Sequence, residues 1–185
     1  TAYYLAEHFD EMIARKEAGS VKKELIDYLL QKLEEEAKKR QCALSDLAST
    51  LLFAAVKEDR LFIGHLGDGV IGYVKDGKIK TASKPENGEF ANTTFFVTSP
   101  VACGKMKLIK GKAEGMDGFL LMSDGCAESF YQPAEEVLCD AAGNFIHWNR
   151  IVNEKKMNRI FSDAFSQVIT KKTLDDCSMA VMSRT

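Results

Sequence analysis

Several features are scarce in this sequence, and each absence removes a class of protein. None of the apolar runs in the 185 residues is long enough to cross a bilayer. The first residues lack the basic flank and apolar block of a secretion signal. The net charge of −2 gives no electrostatic reason to expect a nucleic acid or an anionic membrane as partner.

Metal-ligand and disulfide patterns are also missing. The three histidines are dispersed, and the cysteines are odd in number and never form a C-x-x-C pair, which argues against zinc and against a disulfide framework. We expect reduced, mostly buried thiols in a cytoplasmic protein. The cysteines are Cys42, Cys103, Cys126, Cys139 and Cys177.

The composition is that of an ordinary globular protein. It is 45% hydrophobic and 28% charged, and 185 residues are enough to bury one full core. We therefore predict a single domain over residues 1–185.

Helical spacing of apolar residues dominates the first fifth of the chain. It predicts one helix from Ala2 to Ile13 and a second one after Gly19, with Ser20 as its N-cap. The charged residues 34–40 are predicted to form a solvated face and tail.

Short apolar runs and tight turns follow. Residues 50–56 are continuously apolar after Thr50, which predicts a strand buried on both faces. Residues 61–66 and 70–74 continue an antiparallel meander, and Asp76-Gly77 is a strong hairpin signal.

The remaining pattern predicts strands, a loop and helices. The loop is residues 83–92, the strands are residues 93–98, 106–112, 118–123 and 177–182, and the helices are residues 126–131, 134–142 and 149–169. The helix 134–142 would begin near Pro133 and end at Gly143. The order of elements favours a layered α+β sandwich over a wound βαβ sheet.

Acidic residues stand at the predicted strand ends. Asp124 directly follows a core strand, and Gly125 lets another group approach the backbone closely. Asp68 and the Asp175-Asp176 pair occupy similar positions. If the strands are neighbours, these carboxylates converge, repel one another and require divalent cations, which prefer oxygen ligands.

Each acid also has a purely structural interpretation. Asp124 could cap the short helix, Asp68-Gly69 could be a plain hairpin turn, and Asp175 or Asp176 could turn the chain before the last strand. An unrelated sandwich with ordinary turns and caps therefore stays open as an alternative.

Four motifs follow one another along the chain: Ser49-Thr50 before a strand, Gly67-Asp68, the Leu-Met-Ser-Asp-Gly run at 121–125, and Asp175-Asp176-Cys177-Ser178. In this order they resemble the motifs of the protein phosphatase 2C family, whose members are metal-dependent serine/threonine phosphatases. The resemblance spans residues 1–185 and is strongest to bacterial members.

This resemblance implies a four-layer αββα sandwich of two antiparallel sheets flanked by helix pairs. It implies that Asp124 and Asp175 bind a Mn²⁺ or Mg²⁺ pair, with Asp176 taking the role if the alignment shifts by one residue. Asp68 would bind an additional, third ion.

The implied reaction is hydrolysis of phosphoserine or phosphothreonine by direct attack of a metal-activated water. No side chain of the protein needs to act as nucleophile, so Cys126 and Cys177 are interpreted as packing residues. The implied partner is a phosphorylated protein, with no role for nucleic acid or membrane, and the oligomeric state is left open.

The sequence departs from the family in two places. The Asp-Gly-x-Gly motif that precedes the first helix in the family is absent, and Asp117-Gly118 cannot replace it because it precedes the Asp124 strand. Gly69-Val70 replaces the Ser-Arg that follows Gly-Asp in many members. We therefore expect an N-terminally truncated fragment, inactive alone, or alternatively a catalytically inactive relative that serves as a binding or regulatory module.

Overall fold

The computed structural model describes residues 1–86 and 94–184, and its contacts divide the chain into two compact units. Unit 1 comprises Thr1–Gly67 and Glu86–Ala113, and unit 2 comprises Asp68–Pro85 and Glu114–Thr185. Each unit has its own antiparallel sheet and its own apolar core. Within the described ranges, no helix has the length and apolarity to cross a membrane.

Unit 1 is a three-stranded sheet covered by a helix pair. Its elements are α1 (Ala2–Ala14), α2 (Ala18–Arg40), a 3₁₀ turn (Leu44–Leu47), β1 (Leu51–Lys57), β2 (Arg60–Leu66), α3 (Ala102–Lys105) and β5 (Lys107–Lys112). The strand order is β1-β2-β5, so β2 is central. The apolar faces of α1 and α2 share one core with this sheet, built around Phe9, Leu25 and Phe62.

Unit 2 is a four-stranded sheet with the order β4-β3-β6-β9. Its elements are β3 (Val70–Lys75), β4 (Lys78–Ser83), β6 (Met116–Met122), α4 (Asp124–Ala127), β7 (Tyr131–Gln132), β8 (Val137–Leu138), α5 (Asp140–Ile151), α6 (Glu154–Gln167), a 3₁₀ turn (Ile169–Lys171) and β9 (Met179–Ser183). Residues of α5 and α6 share a core with β3 and β6.

The register of unit 2 decides where its strand ends lie. Val70 pairs with Met122, and Met122 pairs with Met179, all in antiparallel ladders. The start of β3, the end of β6 and the start of β9 therefore meet at one edge of the sheet.

The predicted hairpin at Asp76-Gly77 is confirmed. Lys75 pairs with Lys78, and both central residues have positive φ, 54° and 71°, as a type I′ turn requires. The single meander is wrong, because β2 pairs with β5 whereas β3 pairs with β4 and β6. The chain changes sheet between β2 and β3.

The strand predicted at residues 50–56 exists as β1, but the prediction that it is buried on both faces is wrong. Only Phe53 is buried in β1, whereas β2 is buried from Leu61 to Leu66. The physical reason is position, since β1 is an edge strand with a paired neighbour on one side only.

The helix predicted over residues 134–142 is also wrong. The segment forms the β7–β8 hairpin, with Glu136 at φ 57°, and α5 begins only at Asp140. Gly143 lies inside α5, where an added Cβ would be 3.3 Å from the Cβ of Ile79. This glycine therefore allows close helix–sheet packing and does not end a helix.

The long helix predicted over residues 149–169 is two helices. The first helix, α5, ends at Ile151, and Val152 has extended backbone. The Asn153 side chain then accepts a 2.9 Å hydrogen bond from the Lys156 backbone N–H at the start of α6. This N-cap stabilises a new helix start.

Three smaller predictions also need correction. Glu17, not Ser20, precedes α2, and the Ser20 hydroxyl donates to the Glu17 carbonyl oxygen at 2.9 Å. The helix at 126–131 is a single turn, α4. Of the predicted strand 93–98, residue 93 lies outside the described residues, and only Thr94 makes a bridge. Most of the predicted loop 83–92 also lies outside them.

Candidate metal centre

Three of the predicted site residues meet at the sheet edge of unit 2. Asp68 precedes β3, Asp124 follows β6, and Asp175 precedes β9. The charges of Asp68 and Asp175 both act on Asp124. Asp68 and Asp175 therefore both lie near Asp124.

Asp124 and Asp68 are half-buried, whereas Asp175 is exposed. Burial raises the pKa of the Asp124 carboxyl group above the usual value, and the nearby charges of Asp68 and Asp175 raise it further. A hydrogen bond from the Gly125 backbone N–H acts in the opposite direction on this pKa. The ionised form of Asp124 is thus disfavoured unless a positive charge is close.

Asp175 lies close enough to Asp124 that its side chain also raises the pKa of the Asp124 carboxyl group. A cation bound to both carboxylates would offset their repulsion and favour the ionised forms. The Asp124–Asp175 pair is therefore a candidate cation site.

The loop that carries Asp175 is ordered by short local bonds. Asp175 Oδ1 accepts from the Asp176 N–H at 2.8 Å, and the Asp175 N–H donates to Thr173 Oγ1 at 3.1 Å. Both acids are exposed to solvent. Asp175 therefore has a defined position and remains accessible to a ligand.

Gly125 permits this loop to pack against the end of β6. A Cβ added to Gly125 would lie 2.8 Å from the Asp176 carbonyl oxygen and 3.1 Å from the Cβ of Asp175. The close approach expected at this glycine is therefore present, and the group that approaches is the loop bearing Asp175.

Substituting Gly125→Ala should displace the Asp175 loop, because the nearest obstacle is backbone that cannot rotate away. We expect a loss of stability of about 1–3 kcal/mol, typical of overpacking, together with weaker Mn²⁺ binding. Thermal unfolding and calorimetry check both effects. The matched control is Gly104→Ala, where an added Cβ meets no atom within 4 Å. Equal behaviour of the two variants would contradict this prediction.

The donor set fits a hard divalent cation but does not complete a site. Carboxylate oxygens are the preferred ligands of Mg²⁺ and are also accepted by Mn²⁺. Within residues 1–86 and 94–184, no three histidine, cysteine, aspartate or glutamate side chains are grouped closely enough to hold an ion. The described residues therefore bring the charges of Asp68 and Asp175 near Asp124 without completing a three-ligand group.

Two of the three structural interpretations of these acids are wrong, whereas Asp175 does lie in a bend before β9. Ser123, not Asp124, is the residue before α4, so Asp124 is not its N-cap. Asp68 joins strands of two different sheets, so Asp68-Gly69 is not a hairpin turn between paired strands.

A family model described as "Protein phosphatase 2C" matches residues 2–175. The chain belongs to the protein phosphatase 2C family. No curated protein sequence matches it at a significant level.

Several solved structures share the protein phosphatase 2C fold with this chain. A bacterial serine phosphatase is 15% identical with a TM-score of 0.54, over 85% of this chain and 66% of its own length. PppA, a regulatory component of T6SS in Pseudomonas aeruginosa, is 15% identical with a TM-score of 0.53, over 96% and 78%. Serine/threonine phosphatase Stp1 from Staphylococcus aureus is 15% identical with a TM-score of 0.52, over 98% and 69%.

These similarities establish the fold and not the site. This protein phosphatase 2C chain spans just under two thirds of the length of that bacterial serine phosphatase. The α+β class with antiparallel sheets and helix pairs, predicted from the sequence, is confirmed.

The two cysteines near the acids behave as packing residues of the family fold. Cys126 is fully buried, and burial raises the pKa of its thiol to about 12. Burial, followed by the charge of Asp175, also raises the pKa of Cys177. Thiols that resist ionisation are poor nucleophiles, which agrees with the prediction that neither needs to act as one.

Proposed function

We propose that this protein phosphatase 2C chain removes phosphate from phosphoserine and phosphothreonine of proteins, with Mn²⁺ or Mg²⁺ bound by Asp124 and Asp175. The observation that carries this proposal is the half-buried Asp124 at the end of β6, close to Asp68 and Asp175, where burial and like charge disfavour ionisation without a cation. The fold shared with serine and serine/threonine phosphatases supports the substrate class.

The residues of this chain have separate roles in the proposed site. Asp124 stands at the end of β6, so the strand fixes its position, whereas Asp175 is exposed and reaches it from the loop before β9. Asp68 is proposed as a ligand of a third, more weakly held ion. When bound, the cations supply a water activated for attack on phosphorus and neutralise charge on the phosphoryl oxygens.

The environment of Asp124 also couples cation binding to pH. The Asp124 carboxyl group must lose its proton before it can bind a cation, so cation affinity falls as the pH falls through the raised pKa of Asp124.

The test is release of phosphate from a phosphothreonine peptide with Mn²⁺, with Mg²⁺ and with a chelator. We expect hydrolysis with the metal, loss of activity with the chelator and recovery on adding excess Mn²⁺. Asp163→Asn, which changes an exposed acid of α6 in the same unit, should keep wild-type rates. Equal rates with and without metal would contradict the proposal.

A second candidate function is a catalytically inactive phosphatase-like module that binds or regulates a partner. It is favoured by the lack of a three-ligand cation group in the part of the chain that the structure describes. Mn²⁺ or phosphopeptide binding without turnover, under conditions that activate a phosphatase of the same fold, would support this function over the first.

We also propose that the chain acts as one domain in the cytoplasm. All five cysteines are free thiols, as expected in a reducing compartment. The expectation that most of them are buried is wrong, because only Cys126 is buried and the other four are half-buried.

A further inference from the structure

Ser123 lies between the end of β6 and Asp124, and its backbone changes partner there. Its N–H still donates to the Ser178 carbonyl oxygen at 3.0 Å, as in a continued β6–β9 ladder. Its carbonyl oxygen does not continue that ladder and instead accepts a 2.8 Å hydrogen bond from the N–H of Ala127 in α4. The Ser178 N–H therefore needs another acceptor.

The Ser123 hydroxyl supplies that acceptor. Ser123 Oγ accepts from the Ser178 N–H at 2.9 Å and donates to the Asp176 carbonyl oxygen at 3.2 Å. The same hydroxyl thus donates one hydrogen bond and accepts another. Its two partners, Asp176 and Ser178, are the residues on either side of Cys177 in the loop. A short hydroxyl provides both functions next to the backbone, at the point where a strand becomes a helix.

The position of these bonds links two predicted ligands. Ser123 is the neighbour of Asp124 in sequence, and Asp176 is the neighbour of Asp175. Fixing the Asp176 carbonyl to Ser123 therefore limits how far Asp175 can move from Asp124. Without the hydroxyl, Ser123 would keep a single hydrogen bond to this loop among the described residues, from its N–H to the Ser178 carbonyl oxygen.

We propose that Ser123 is a positioning residue that holds Asp175 against Asp124 and thereby sets the affinity of the site for divalent cations. This inference rests on the proposed function. It assigns the hydroxyl a role through Asp175 and not through contact with substrate.

Solvent exposure separates this role from a purely structural one. Asp176 and Ser178 are both exposed, so water can replace the lost bonds and Ser123→Ala should change the melting temperature little. Groups that orient metal ligands usually contribute about 10- to 100-fold to metal affinity. We therefore expect Ser123→Ala to weaken Mn²⁺ binding by at least about tenfold while the fold stays intact.

The experiment measures Mn²⁺ affinity by calorimetry or by electron paramagnetic resonance, together with amide hydrogen exchange at Ser178. Ser123→Ala should weaken binding and lose protection at Ser178, whereas Ser123→Thr, which keeps the hydroxyl, should restore both. The matched control is Ser129→Ala, because Ser129 Oγ is buried and has no hydrogen-bond partner within the described residues. It should bind Mn²⁺ as the wild type does.

The outcomes distinguish this inference from the proposed function. Wild-type Mn²⁺ binding with unchanged affinity in Ser123→Ala would overturn the role of Ser123 alone. Absence of Mn²⁺ binding in the wild type would overturn the proposed function and this role with it. If Ser123→Ala fails to fold, Ser123→Cys takes its place, since it keeps a side chain of similar size with weaker hydrogen bonding.

Discussion

Asp124→Asn is expected to weaken Mn²⁺ binding by at least about 100-fold, since losing a ligand costs no less than losing its supporting group. The same substitution should make the metal-free protein more stable. The neutral amide avoids the two effects that disfavour the Asp124 carboxylate, first burial and then repulsion by Asp68 and Asp175. It can still accept from the Gly125 N–H. Opposite signs for binding and stability are typical of a residue retained for function.

The pH dependence of stability tests whether the disfavoured Asp124 carboxylate is the cause of this stabilisation. Because the folded protein holds the Asp124 proton to a higher pH than the unfolded chain does, the free energy of unfolding without metal should fall as the pH rises. The fall begins near the ordinary aspartate value of 3.8 and ends above the raised pKa of Asp124. This contribution should be absent in Asp124→Asn.

Denaturant unfolding with a chelator present, at several pH values from mildly acidic to neutral, measures this effect. Asp163→Asn serves as the control, because its side chain is exposed on α6 and the change should leave the pH dependence as in the wild type. A metal-free Asp124→Asn protein that is less stable than the wild type at neutral pH would show that the carboxylate is structural.

The strand ends were predictable because core strands and their terminators are both local features. The apolar run before Asp124 and the short strand after Asp175 are visible in the sequence, and antiparallel pairing of β3, β6 and β9 brings their ends to one edge. The sequence did not show which strands pair with one another. The change of sheet between β2 and β3 depends on contacts with β5 and β6, more than 40 residues further along the chain.

Errors in the helices and in strand burial have a similar origin. Gly143 has the sequence signature of a helix end, yet it sits where α5 approaches Ile79 of β4, so tertiary packing decided its role. The sequence of β1 is apolar enough for a central strand, but β1 is the outermost strand of its sheet and most of its residues are only half-buried. The residues of a segment do not show by themselves which other elements will pack against it.

Ser123 was missed for a related reason. It was visible only as a residue that ends a strand, and the partners of its hydroxyl, Asp176 and Ser178, lie more than 50 residues away. A serine between a buried strand and a candidate ligand is a signal that could have been used, because a short hydroxyl can replace a backbone acceptor there.

Asp175→Asn and Asp176→Asn should differ sharply, and the comparison decides which acid of the pair binds the cation. The Asp175 side chain lies close enough to raise the pKa of Asp124, whereas Asp176 contributes its backbone, which donates to Asp175 and accepts from Ser123. A substitution at Asp176 leaves these backbone bonds in place. We expect at least about 100-fold weaker Mn²⁺ binding for Asp175→Asn and a change of less than about threefold for Asp176→Asn.

Metal-free stability provides an independent measurement on the same pair. Asp175 is exposed, so its carboxylate is stabilised by water, and Asp175→Asn should stabilise the metal-free protein less than Asp124→Asn does. Calorimetry and chelator-treated unfolding of the three variants test this order. If Asp176→Asn instead abolished binding while Asp175→Asn kept it, the ligand would be Asp176, and the Ser123 hydroxyl would then hold the ligand residue itself through its carbonyl.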